Sequence, residues 1–328
     1  MAAGAYVRRR TVLRVAAATG TLPVVGSAAC SGDTGTDLPD RELRIATGNA
    51  GGVYVAYGEG LAAAVRDELP RLRAAVLRTQ ASVENLRLLA GGGADLAFTL
   101  ADAALDGVRG TGPFDAPLAL AALARLYDNY VQIVVRQAAR IRRIRDLAGH
   151  RVSTGSPASG TALVAGRLLA AAGLRPGADL ETVSLDLTSS AEGLAGGRID
   201  AFFWSGGLPA SAVLGLVRTT EVRLLDLSDV AEELAASYED VYAEAVIPAT
   251  AYGIGEPITT VSVPNYLVVR PGEDGEIAYR LTRLLFSAQD RIAAAHPEAR
   301  RLNPRSAIST YPVELHPGAV RYFREAKD

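Results

Sequence analysis

Three short stretches carry the side chains best suited to grip a small polar molecule. Thr47-Gly48-Asn49-Ala50-Gly51-Gly52-Val53-Tyr54 is a glycine-rich turn with an amide and a phenol. Ser82-Val83-Glu84-Asn85 offers a hydroxyl and an amide, and Gly155-Ser156-Pro157-Ala158-Ser159-Gly160-Thr161 offers the hydroxyls of Ser156, Ser159 and Thr161. Each stretch stands where a short apolar run gives way to helical spacing, so unpaired backbone N–H groups at the positive end of a helix accompany the hydroxyls. Such a set can hold a carboxylate without a formal positive charge.

Other chemistries fail on residue type or spacing. A dinucleotide fingerprint needs glycine where Ala50 stands, and the second apolar run, Ala74 to Thr79, does not end in the acid that would hold a ribose. A Walker loop needs Gly-Lys-Ser/Thr, and the chain's lysine is Lys327. His150, His296 and His316 are scattered and lack metal-ligand spacing such as H-E-x-x-H. There is no G-x-S-x-G elbow, no cysteine near the turns and no histidine beside a candidate nucleophile. The expectation is therefore binding without catalysis, with no catalytic residue, no metal and no cofactor.

The elements that position these residues follow from periodicity. Leu43 to Ala46 reads as a buried strand, and Val53, Ala56, Tyr57, Leu61, Ala64 and Val65 recur at helical spacing after the turn. Ala74 to Thr79 is a second strand, followed by a helix from Ser82 that ends at Gly91-Gly92-Gly93. Ala94 to Leu100 is a third strand, with Thr99 near its end and Asp102 placed as the cap of a third helix. Three successive strand-to-helix turns thus share one edge of a parallel sheet, the carboxyl edge where ligands sit in open α/β sheets. A long strand from Leu118 through Val135 leads out of this unit, with Arg125, Tyr127, Asn129 and Tyr130 at the crossover. The pattern then repeats: strand Arg151 to Thr154, the Gly155–Thr161 turn, helix Ala162 to Ala172, strand Thr182 to Leu187, a cap at Thr188-Ser189-Ser190, and strand Arg198 to Gly206. Thr259 to Arg270 is the return, and helices over Asp274 to Ala295 and His316 to Ala326 complete the chain. The resulting expectation is two α/β lobes facing each other across a cleft, lobe I from 42–127 and 268–328 and lobe II from 128–267.

Within that frame, Tyr54 and Tyr57 lie three apart on one helix, so one of the two is expected to face the cleft. Ser82 and Asn85 can serve as helix-start residues and as ligand groups together. Trp204, the only tryptophan, ends a strand at the cleft edge, where an aromatic either packs or forms a platform. The binding set is Asn49, Gly51, Gly52, Tyr54, Ser82, Asn85, Thr99, Ser156, Ser159, Gly160, Thr161 and Trp204.

With 328 residues, 49% hydrophobic and 21% charged, the chain can build real cores. Arg8, Arg9, Arg10 and Arg14 lie in a 29-residue start that has no acid, so removing it leaves a product more acidic than the overall net charge of −2. An acidic product argues against a nucleic-acid partner. Residues 1–29 have the charged start, apolar middle and small-residue end of an export signal, and Arg9-Arg10 followed by Leu13 resembles the twin-arginine type. Gly20, Pro23 and Gly26 interrupt the apolar run, which falls short of a membrane span. The only cysteine, Cys30, follows Ser27-Ala28-Ala29. Its position resembles a lipoprotein attachment site, although Ser27 replaces the usual leucine or valine and ordinary signal-peptidase cleavage also fits. Residues 30–41 form a tether without apolar pattern, expected to be flexible.

Six segments in order carry a family resemblance: Thr47 to Tyr54, Ser82 to Leu86, Ala94 to Phe98, Gly155 to Thr161, Asp200 to Phe203, and Leu315-His316-Pro317-Gly318-Ala319. Together they resemble the TAXI group of TRAP-transporter solute-binding proteins, from about Leu43 to the C-terminus. The resemblance implies a fold similar to type II periplasmic binding proteins, with two α/β lobes joined by a hinge and a ligand cleft between them. It also implies capture of a small organic anion or amino acid, such as glutamate or 2-oxoglutarate, and delivery to an ion-gradient-driven TRAP-type permease. Asn49-Ala50 and Trp204 depart from the usual pattern, so the ligand can differ. Exported to the outer face of the cytoplasmic membrane by a lipid anchor, or periplasmic or extracellular, the same lobes could instead present a ligand to a membrane signalling protein. Chemistry in the cleft is the least supported reading.

Overall fold

Two long apolar strands run through the middle of the sheet, and the rest of the molecule is arranged on either side of them. The computed structural model describes residue 1 and residues 38–238, 241–253 and 255–327. The expected export signal, Cys30 and the expected tether up to residue 37 lie outside these described residues, residue 1 apart; the flexible tether expected through residue 41 ends earlier, since Leu38 is buried in the core with Leu43 and Arg41 opens a strand.

In chain order the elements are β1 (Arg41–Ala46), α1 (Val53–Glu68), β2 (Leu72–Leu77), α2 (Ser82–Ala90), β3 (Leu96–Leu100), α3 (Ala101–Arg109) and β4 (Ala121–Arg136). There follow β5 (Arg151–Ser153), α4 (Gly160–Ala171), β6 (Glu181–Val183), α5 (Leu187–Ala195), β7 (Ala201–Gly206), α6 (Ser211–Val217), β8 (Val222–Leu224), α7 (Ser228–Ser237) and β9 (Ala243–Ile247). The chain closes with β10 (Ile258–Val269), α8 (Gly275–Ser287), α9 (Gln289–Ala295), α10 (Pro304–Ala307) and α11 (Pro317–Glu325).

The sheet order is β2-β1-β3-β10-β4-β7-β5-β6, with β8 on β4 and β9 on β10. Strands β1, β2 and β3 are parallel, as are β5, β6 and β7. Each set is completed by one half of a long antiparallel strand. Asn265–Val269 of β10 pairs with β3, whereas Tyr130–Val135 of β4 pairs with β7. On their other edges β4 and β10 pair with each other, from Ala121 with Val269 to Tyr130 with Ser262, with register shifts at Pro264/Tyr266 and Leu267/Val268. The two lobes therefore have the same internal order and are joined through two continuous strands. Successive residues of β10 feed opposite faces: Leu267 and Val269 join a core with Tyr57, Leu61 and Phe98, while Tyr266 and Val268 join one with Leu86, Leu100 and Ile133.

Several local boundaries differ from the periodicity reading. The strand expected over Thr182 to Leu187 stops at Val183, and the helix after it is capped by Asp186, not by Thr188-Ser189-Ser190. Asp102 lies inside the first turn of α3. The helical stretch expected over Asp274 to Ala295 is interrupted at Ala288, giving α8 and α9. The break brings α9 against α1, where a Cβ on Gly60 would stand 3.1 Å from the Ile292 backbone. The elements α6, β8, α7 and β9 carry no clear sequence signal and are supplied by the structure. Among the described residues, no helix is long and apolar enough to cross a membrane, and no group of three or more His, Cys, Asp or Glu could hold a metal ion.

Candidate functional site

The carboxyl ends of β1, β2 and β3 meet those of β5, β6 and β7 around one cleft, whose cavity is about 60 Å³ in this conformation. Gly48, Asn49, Gly52 and Tyr54 come from the β1–α1 turn and the first turn of α1, and Ser82 from the start of α2. Ser156, Ser159, Gly160 and Thr161 face them from the β5–α4 turn and the start of α4. Tyr127 and Asn129 rise from β4, and Phe203 to Gly206 from β7, while Leu185, Asp186 and Leu187 enter from the β6–α5 turn.

Local geometry explains why the turns need their small residues. Gly155 has φ +97°, which a side chain disfavours, and a Cβ there would lie 2.7 Å from Thr161. A Cβ on Gly160 would stand 2.4 Å from Leu100 Cδ1 and 2.8 Å from Ser82 Oγ, both in the other lobe. Glycine here lets the start of α4 close onto α2. The lobes also touch where the Val83 and Glu84 N–H groups donate to the Ala158 carbonyl, and where Asn49 Nδ2 donates to Ser156 Oγ at 2.8 Å.

A hydrogen-bonded chain crosses the cleft floor. Tyr54 Oη donates to Asn265 Oδ1 at 2.5 Å, Asn265 Nδ2 donates to Asn129 Oδ1 at 2.9 Å, and Asn129 Nδ2 donates to Ser205 Oγ at 3.3 Å. The Ser205 N–H then donates to Thr161 Oγ1 at 3.2 Å. This chain links α1, the two long strands β4 and β10, β7 and α4. Burial pushes the Tyr54 and Tyr127 phenols well above their ordinary range, so both stay neutral donors at neutral pH. Tyr127 is 4% exposed, and neither its hydroxyl nor the Trp204 indole N–H has a partner among the described residues.

Beside the cleft the lobes are held by a second buried cluster. Arg167 of α4 donates to Asp106 of α3 at 2.7 Å and to the Tyr242 hydroxyl at 3.0 Å, and that hydroxyl donates to Asp102 at 2.6 Å. Burial raises the Asp102 carboxyl against the opposing pull of the Arg167 guanidinium.

Of the binding set read from sequence, Asn49, Gly52, Tyr54, Ser82, Ser156, Ser159, Gly160, Thr161 and Trp204 line the cleft. Asn85, Thr99 and Gly51 lie outside that lining. Asn85 is fully buried, donating to the carbonyls of Thr47 and Phe98 and accepting from Thr79 Oγ1, so it ties together the ends of three strands. Thr99 is also buried and donates to the Leu100 carbonyl. Gly51, with φ +79°, borders a neighbouring recess with His296 and Pro209. Tyr54 faces the cleft, whereas Tyr57 is fully buried beside Phe98 and Tyr127. Of the crossover residues, Tyr127 and Asn129 reach the cleft, Tyr130 does not, and Arg125 is held by both carboxylate oxygens of Asp128. Sequence reasoning missed Asp186 because it sat inside an expected strand. The signal available was an aspartate three residues before Ser189, the spacing of a helix cap.

The family model described as the NMT1-like family matches residues 45–326. A Xanthomonas citri protein solved with a chloride ion superimposes with a TM-score of 0.50 at 15% identity, covering 87% of this chain and 95% of that one. A Bordetella bronchiseptica protein does so with a TM-score of 0.50 at 17% identity, covering 86% and 88%. The periplasmic aliphatic sulphonate binding protein of Escherichia coli reaches 0.48 at 15% identity, covering 87% and 83%. At these identities the likeness concerns the fold, the two-lobed α/β architecture described above.

Proposed function

This chain belongs to the NMT1-like family, and on that footing we propose that it is an extracytoplasmic solute-binding protein that captures a small organic anion or amino acid by hinge closure. The observation that carries this reading is the cleft itself, with hydroxyls, amides and helix starts converging from both lobes and two continuous strands as the hinge. A ligand touching both lobes stabilises the closed state by its differential affinity for it. The lobes we assign are 42–127 with 268–328, and 128–267; the partner of β4 changes at Tyr130, which joins both Ser262 of β10 and Gly206 of β7.

The TAXI-like segments, from Thr47–Tyr54 to Leu315–Ala319, support delivery of the bound solute to a TRAP-type permease. Cys30 after a charged and apolar start supports a lipid anchor at the outer face of the cytoplasmic membrane. The test is a thermal-shift screen of the protein against amino acids, 2-oxo acids, dicarboxylates, sugars and nucleotides. A ligand at 100 times its Kd stabilises the native state by about 2.7 kcal/mol. Stabilisation by a small solute that is recovered unchanged, together with a smaller radius of gyration in solution scattering, is the expected result. Consumption of the solute refutes the reading.

A further inference from the structure

The charge and the unused donors of the cleft constrain its ligand more tightly than its size does. Asp186 is the only charged side chain among the described residues that line it. It caps α5 through Oδ1, which accepts from the Ser189 N–H at 2.7 Å, so the cap uses one of its two oxygens. Elsewhere in the lining the polar groups are hydroxyls, amides and N–H donors. Helix α1 begins at the cleft without a side-chain cap. The buried Tyr127 hydroxyl and the Trp204 indole N–H lack partners among the described residues, and both residues line the same space.

We propose that the ligand is a zwitterion, with an ammonium group facing Asp186 and one carboxylate held by the donors around the starts of α1 and α4, and that dianions without an amino group are rejected. This rests on the solute-binding reading above. Helix-end N–H groups offer only partial positive charge and suit a single carboxylate. A second carboxylate would be desolvated beside Asp186 with no cation to pair it, and like charges brought together at an interface are strongly disfavoured. An ammonium group reverses that sign and pairs the aspartate.

A 2-oxo acid has the carbon skeleton of its amino acid without the ammonium group, so matched pairs isolate the contribution of Asp186. Trp204, the only tryptophan, lines the cleft and reports occupancy by fluorescence, with calorimetry as the second readout. The probes are L-alanine with pyruvate, L-valine with 3-methyl-2-oxobutanoate, L-glutamate with 2-oxoglutarate, and succinate and glucose alone, titrated into the full chain. The expected result is that every amino acid that binds does so at least about tenfold more tightly than its 2-oxo partner, and that succinate and 2-oxoglutarate do not compete. Asp186→Asn keeps an oxygen for the cap and should erase that preference while leaving the ligand-free melting temperature in place. A 2-oxo acid or succinate binding as well as the amino acids, or an Asp186→Asn protein that keeps the preference, overturns the zwitterion. Binding of glucose alone also overturns it and leaves solute capture standing, whereas silence from these probes and from the whole thermal-shift screen overturns solute capture itself.

Discussion

On the solute-capture reading proposed above, the closed cleft has no room for a side chain at position 160, and adding one methyl group there is the sharpest test of hinge closure. In Gly160→Ala the new Cβ would lie 2.4 Å from Leu100 Cδ1, 3.0 Å from Leu100 Cγ and 2.8 Å from Ser82 Oγ. Neither neighbour moves freely, since Leu100 is 2% exposed and Ser82 Oγ accepts from the Leu100 N–H at 3.1 Å. Within its own lobe the substitution is benign. Gly160 opens α4 with φ outside the left-handed region, and alanine is the better helix former. The penalty therefore falls on the closed state and spares the open one. Overpacking of this kind costs about 1–3 kcal/mol, which weakens ligand binding by roughly 5- to 150-fold. Trp204 fluorescence titrated with the strongest solute from the thermal screen measures that loss, and scattering of the saturated protein should show a larger radius than the unmodified one. Unchanged affinity with unchanged closure would refute the claim that α4 must seat against Leu100 and Ser82 for the ligand to be held.

Two further predictions concern stability and location. Burial alone would raise the Asp95 carboxyl, but hydrogen bonds from the Arg44 backbone and from the side chains of Arg44, Arg41 and Arg270 outweigh it and hold the group below its ordinary range. A depressed carboxyl stabilises the fold above its unfolded value and loses that contribution as pH falls through the folded one. Asp95→Asn should thus destabilise by about 2 kcal/mol at neutral pH, with the gap to the unmodified protein closing below about pH 4 in denaturant titrations. An equal gap at neutral and acid pH would contradict it. Cys30→Ser should move the protein from the membrane fraction to the soluble one in cell fractionation, and continued membrane attachment removes the lipid-anchor reading.

The sequence alone was enough to locate three of the turns that surround the cleft, those at Asn49, Ser82 and Ser156–Thr161. Glycines beside hydroxyls at the ends of apolar runs are local signals, because positive φ and helix capping depend on a few consecutive residues. That is why the Asn49, Ser82 and Ser156–Thr161 positions were readable one turn at a time, and why the repeated strand–turn–helix order implied two lobes. Direction within a turn was not readable. Ser82 and Asn85 begin the same helix, yet Ser82 faces the cleft while Asn85 ties the ends of β1, β2 and β3 into the interior, a choice made by strands that pack around it. Asn265 gives no local sign of its role, since its partners Tyr54, Tyr127 and Asn129 are 211, 138 and 136 residues away along the chain. Asp186 becomes the charge of the cleft only because β6 ends early and the two lobes close around its helix start. Backbone chemistry is set by near neighbours, whereas orientation and charge environment are set by whichever surfaces the fold brings together, and those were decided by the tertiary structure.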